Sequence, residues 1–121
     1  MSDIAGNNAD NKVCELRQGK CKPCVGGIPA LSAADADKLL QQLPQWQRDG
    51  GVISRTFSFR NYYETLAFVN ASAWISHRED HHPDLEVGYN RCVVRYSTHA
   101  IKGLSHNDFI CAAKIDALFE L

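Results

Sequence analysis

The chain has 121 residues, 45% of them hydrophobic and 22% charged, and its 13 Lys and Arg against 14 Asp and Glu leave a formal charge of −1. That length suits one domain and excludes a two-domain enzyme, since domains usually run to roughly 100–200 residues. The composition is too apolar for a disordered chain and too interrupted for a membrane span, and a near-zero charge provides no field for phosphate backbones or anionic lipid. Neither nucleic acid nor membrane is therefore an expected partner.

Residues 1–30 are expected to form a flexible, cysteine-containing arm, with one domain following over residues 31–121. The arm holds Asp3, Asp10, Glu15 and Arg17 and no continuous apolar run, so it lacks the core of a secretory signal and a cytoplasmic location is expected. Cys14, Cys21 and Cys24 offer one Cys-x-x-Cys pair and a third thiol, whereas structural zinc normally takes four ligands. The favoured reading is a reduced tail hinged at Gly26, Gly27 and Pro29, and no metal site is assigned. Cys92 and Cys111 lie in apolar stretches that read as core, so the five cysteines do not suggest a disulfide framework.

Three helices are marked by their starts. Ser32 with Asp35, Asn61 with Glu64, and Ser105 with Asp108 each place an acid three positions after a capping residue, the spacing that satisfies orphan amides. The first helix is predicted over residues 33–43, burying Leu39, Leu40 and Leu43 and stopped by Pro44. Trp46 to Arg48 and Val52 to Phe59 then flank Asp49-Gly50-Gly51 as a hairpin. The second helix is predicted to start near Tyr62, to bury Tyr62, Leu66, Val69 and Ala73 with Trp74 beside them, and to end at Pro83. Leu85, Val87 and Tyr89 alternate with Glu86 and Gly88, and after a turn at Asn90-Arg91 Cys92, Val94, Tyr96 and Thr98 alternate with Val93, Arg95 and Ser97, which predicts a second hairpin. The last helix carries Ile110, Ala113, Ala117, Leu118 and Leu121. The order α-β-β-α-β-β-α predicts an α+β fold, a four-stranded antiparallel sheet with three helices on one face.

All five histidines fall between His77 and His106. On a helix running to Pro83, His77 and His81 would share a face, with His82 at the carboxyl end, where the dipole favours a charged imidazole. His99 closes a strand and Asp108 opens a helix, so a strand end and two helix ends can converge on one cleft. Each residue also has a plainer role. The His81-His82 pair can bond the last carbonyls of its helix, His99 can be a loop residue, Asp108 can simply be a cap, and His106 can be a solvated first-turn residue. Imidazoles at helical spacing can also ligate zinc, but the His-Glu-x-x-His arrangement is missing.

The run His77-x-x-x-His81-His82-Pro83, followed by Tyr89, by His99 within Ser97-Thr98-His99, and by Asp108, resembles the pterin-4a-carbinolamine dehydratase family, also known as the dimerisation-cofactor family. The likeness spans about Leu31 to the carboxyl end. It departs at His77, which stands where the best-known members have Glu and receives no catalytic duty. The resemblance implies dehydration of a 4a-hydroxytetrahydropterin to the quinonoid dihydropterin, as in tetrahydrobiopterin recycling, with neither metal nor organic cofactor. It implies His81, His82, His99 and Asp108 as catalytic residues, and Pro83, Ser97 and Thr98 with the three histidines as substrate-binding residues. It further implies a homodimer or homotetramer and a pathway link to an aromatic amino acid hydroxylase. Two other readings stand beside it: a non-enzymatic protein-binding module of the coactivator kind, and a His/Cys metal-binding protein.

Overall fold

The computed structural model describes residues 16–23 and 29–120. Helix α1 (Ala33–Leu40) leads into the hairpin of β1 (Gln47–Asp49) and β2 (Val52–Ser58), followed by α2 (Tyr62–Glu79), the hairpin of β3 (Asp84–Val87) and β4 (Arg91–Tyr96), and α3 (His106–Ala117). The predicted α+β order is the observed one. The sheet is antiparallel throughout in the order β1-β2-β4-β3, so the two hairpins join through β2 and β4. Asp49 pairs with Val52 across a two-residue loop in which Gly50 takes φ 61°, a conformation that costs glycine little.

Register explains the single covered face. Ile53 opposes Tyr96 and Phe57 opposes Cys92, and this face meets Ala36 of α1, Phe68 of α2 and Phe109, Ala112 and Ile115 of α3 in one buried cluster. The opposite face carries Ser54, Thr56 and Arg95. Arg55 points to the helix side, where its guanidinium pairs with Asp116 at 2.7 Å, and the Trp46 indole N–H donates to the same carboxylate.

The caps form where the spacing placed them. The Ser32 hydroxyl accepts from the Asp35 N–H, the Asn61 side chain accepts from the Glu64 N–H, and the Asp108 carboxylate accepts from the Ser105 N–H. Two expectations for α2 need correction. Its buried residues are Thr65, Phe68, Ser72 and Glu79, while Tyr62, Ala73 and Trp74 are exposed. Thr65 and Ser72 can be buried because their hydroxyls donate to the Asn61 and Val69 carbonyls, which removes the cost of desolvating them. Moreover, α2 ends at Glu79 and not at Pro83, because Asp80 turns left-handed (φ 51°, ψ 43°). His81 and His82 therefore lie in the loop after α2, and His81 does not share a helix face with His77. The first helix also ends earlier than expected, at Leu40, although Leu43 remains in the core.

Residues 16–23 of the arm are tied to this domain. Leu16 lies in the core cluster, the Lys114 ammonium donates to the Arg17 carbonyl, and the Cys21 N–H donates to Glu79 at 2.9 Å. Cys14 and Cys24, and the hinge glycines Gly26 and Gly27, lie outside the described residues.

Candidate active site

The left-handed turn at Asp80 reverses the chain, and the His81 N–H bonds the Ser76 carbonyl at 3.2 Å. This turns the His81 ring inward against the buried ring of Tyr96 on β4, with planes 8° apart and centroids 5.9 Å apart. His81 Nε2 lies 2.6 Å from Asp108 Oδ1. An ionised carboxylate has no hydrogen to offer, so with Asp108 ionised the His81 Nε2–H is the donor of this bond. Asp108 is fully buried, and its other oxygen accepts from the Thr98 hydroxyl at 2.8 Å and from the Ser105 N–H at 3.0 Å. Capping and orienting a histidine are thus duties of one carboxylate, one for each oxygen.

His81, His82, Ser97, Thr98 and His99 line one cleft of about 480 Å3. His99 opens the short 3-10 turn His99–Ile101, and both His82 and His99 are exposed at the cleft mouth. The Thr98 N–H is committed to the Gly103 carbonyl at 2.8 Å, and the turn closes through Gly103, where an added Cβ would lie 2.6 Å from the Ala30 methyl. Pro83, His77, Tyr89 and His106 are not among the lining residues, and Asp108 stands behind His81. His77 instead lies beside the exposed Trp74, 5.6 Å between ring centroids.

The sequence reading missed the opposite wall. Lys20, Cys21, Lys22 and Pro23 line the cleft together with Glu79 and Asn107. Asn107 clamps Lys22 from both sides, accepting from its N–H at 3.0 Å and donating to its carbonyl at 2.6 Å. Glu79 is buried, which by itself raises its pKa, but the Cys21 N–H and the Lys114 and Lys20 ammoniums outweigh burial and hold the carboxyl below its ordinary value. No local signal marked this wall: Glu79 lies off the predicted apolar stripe of α2 and faces the core only because Thr65, Phe68 and Ser72 form the buried side. Among the described residues no three His, Cys, Asp or Glu side chains are grouped to hold a metal ion, and no helix is long and apolar enough to cross a membrane.

Comparison with known proteins agrees with this architecture. A crystal structure described as a transcriptional coactivator/pterin dehydratase from Brucella melitensis superposes with a TM-score of 0.70 at 28% identity, over 74% of this chain and 97% of that one. A pterin dehydratase-like protein described as a RuBisCO assembly factor shares the fold at 24% identity and a TM-score of 0.51, over 60% of this chain and 84% of that one. The helix-covered antiparallel sheet is thus of the pterin dehydratase type. The family model for pterin 4 alpha carbinolamine dehydratase matches residues 29–118. Relatives carrying that enzyme's name include one from Nitrosomonas europaea, 66% identical over 89% of this chain and 96% of its own length. Another, from Nitrosospira multiformis, is 59% identical over 93% of this chain and 99% of its own. The chain belongs to the pterin-4a-carbinolamine dehydratase family and is a hydro-lyase.

Proposed function

We propose that this protein dehydrates 4a-hydroxytetrahydropterin to quinonoid dihydropterin in tetrahydrobiopterin recycling, by general acid and base catalysis from its histidine cluster. The observation that carries the reading is the His81–Asp108 contact of 2.6 Å at the back of a cleft whose mouth holds His82 and His99. Hydroxide leaves carbon poorly, so an acid must protonate the 4a-oxygen as the C4a–O bond breaks. A base must take the N5 proton as the C4a–N5 double bond forms, and the product water then departs. Imidazole, with an unperturbed pKa of about 6.5, serves either role near neutrality.

In this scheme His81 and His82 carry the main proton transfers, His99 holds or protonates the hydroxyl, and Asp108 fixes the His81 tautomer. With the Thr98 N–H occupied by Gly103, the Ser97 main chain takes the amide edge of the pterin. Pro83 acts by fixing the backbone behind His82. Tyr96, whose ring lies parallel to His81, is a positioning residue. We extend the proposal to a homodimer or homotetramer that serves an aromatic amino acid hydroxylase.

The test follows the ultraviolet absorbance of freshly generated 4a-hydroxytetrahydropterin after chelator treatment of the protein. Acceleration should survive chelation and fall about 10²- to 10⁴-fold in His82→Ala, with a smaller loss in His99→Ala. No acceleration by folded protein would refute the proposal, and comparable or reversed losses would refute the ordering of roles. A second reading, a protein-binding module, draws on the exposed Tyr63 and Trp74 of α2 and on the coactivator description of the Brucella structure. Inactive protein that still presents this face would favour it.

A further inference from the structure

Cys21 is half-buried in the arm and Cys111 is fully buried on α3, yet their sulfurs lie 3.5 Å apart across 90 residues of sequence. A disulfide bond measures about 2.05 Å, so from 3.5 Å the sulfurs need to approach by only about 1.5 Å to bond. Cys21 is held in place from several directions. Its N–H is bonded to Glu79, its thiol donates to the Asn107 carbonyl at 3.7 Å, and the next residue, Lys22, is clamped by the Asn107 side chain. The buried Tyr96 hydroxyl has no hydrogen-bond partner in good geometry, and the Cys111 and Cys21 thiols are among its neighbours. The dehydratase mechanism uses neither thiol, and the family match begins at residue 29, beyond Cys21.

We propose that Cys21 and Cys111 are an oxidation site, at which a small disulfide of the glutathione kind closes the pair into an intramolecular disulfide that fastens the arm to α3. The Cys21 thiol, the more exposed of the two, loses its proton and attacks one sulfur of the small disulfide. A mixed disulfide forms, and the expelled thiolate takes up a proton. Cys111, already in contact and needing no access from solvent, then gives up its proton and attacks Cys21 Sγ, expelling the second small thiolate, which is protonated in turn. Two protein thiols are oxidised by two electrons, and one small disulfide is reduced to two thiols. Because Lys20 to Pro23 form a wall of the cleft, oxidation fixes that wall covalently. In the reduced protein the wall is held only by non-covalent contacts: hydrogen bonds, ion pairs and the packing of Cys21 against the core.

The full-length protein is incubated with oxidised glutathione, its remaining thiols are alkylated under denaturing conditions, and it is digested without reductant for mass spectrometry. The expected product is a Cys21–Cys111 linked peptide, two hydrogens lighter than the separate peptides, which dithiothreitol reverses. Cys92, buried elsewhere in the sheet, should be alkylated in full. The oxidised protein should unfold several degrees higher than the reduced one, and Cys21→Ser should lose both the linked peptide and the temperature shift. Pairing of Cys21 with Cys14 or Cys24, a mixed disulfide that never closes, or zinc held by the thiols and blocking oxidation would each overturn the proposal. Since the readout is a peptide mass and not a rate, protein inactive on pterins decides it equally well.

Discussion

Changing Glu79 to Gln preserves the shape of the side chain and an oxygen for the Cys21 N–H, but it removes the charge that faces Lys20 and Lys114. In the folded protein this carboxyl is held below its ordinary value of 4.5. A carboxylate with a depressed folded pKa contributes stability that is present in full above its unfolded value and is lost as pH falls through the folded one. Wild-type thermal unfolding should therefore weaken on acidification from about pH 6 to pH 3. Glu79→Gln should begin a few degrees lower at neutrality and lose less over the same window. Other carboxylates titrate in both proteins, so the difference between the two curves isolates Glu79. Equal acid dependence would show that the residue does not anchor the arm electrostatically. Asp108 works by a different logic: each of its oxygens is spent on a named donor, and it couples the start of α3 to the His81 ring.

At the scale of elements, the decisive feature is the stop of α2 at Asp80, a non-glycine residue in the left-handed region. Such a residue carries strain of order 1–3 kcal/mol, less for Asp and more for a β-branched side chain. Asp80→Gly should keep dehydratase activity and match or exceed wild-type stability, because glycine adopts this backbone freely. Asp80→Val should lower the unfolding temperature and cut activity at least tenfold, by displacing the His81 ring from Tyr96 and Asp108. Equal activity in the two variants would separate the turn from catalysis. This stop was not legible in the sequence, where Pro83 is the visible punctuation and Asp80 resembles any exposed acid. The apolar periodicity of α2 also misled, because Thr65 and Ser72 are buried with their hydroxyls satisfied by nearby carbonyls. The strands were legible because alternation has a period of two and Gly50 marks the first turn. The helix starts were legible because capping is local. His81, His82, His99 and Asp108 stood out through their resemblance to a family pattern, whereas the wall from Lys20 to Pro23 depends on contacts across some 58 to 86 residues that no local pattern encodes.

For the whole molecule, the sheet order leaves β1 and β3 as open edges, and large apolar side chains remain in solvent: Tyr63 is 80% exposed, Tyr89 66% and Trp74 62%. A chain of 13.5 kDa buries a modest share of its surface when folded alone. Exposed edges and aromatic faces of this kind are commonly covered by symmetric association. Light scattering on the eluting protein should therefore give a mass that is a multiple, dimer or larger, of the 13.5 kDa chain. Trp74 sits on the outward side of α2 and does not line the histidine cleft. Trp74→Glu should accordingly shift the population to a smaller species while each chain keeps its dehydratase rate. Unchanged mass in the variant would move the interface to the strand edges, where a charge introduced at Val87, 42% exposed on β3, becomes the discriminating substitution. A wild-type monomer at micromolar concentration would refute self-association and leave the aromatic face of α2 free for a different protein.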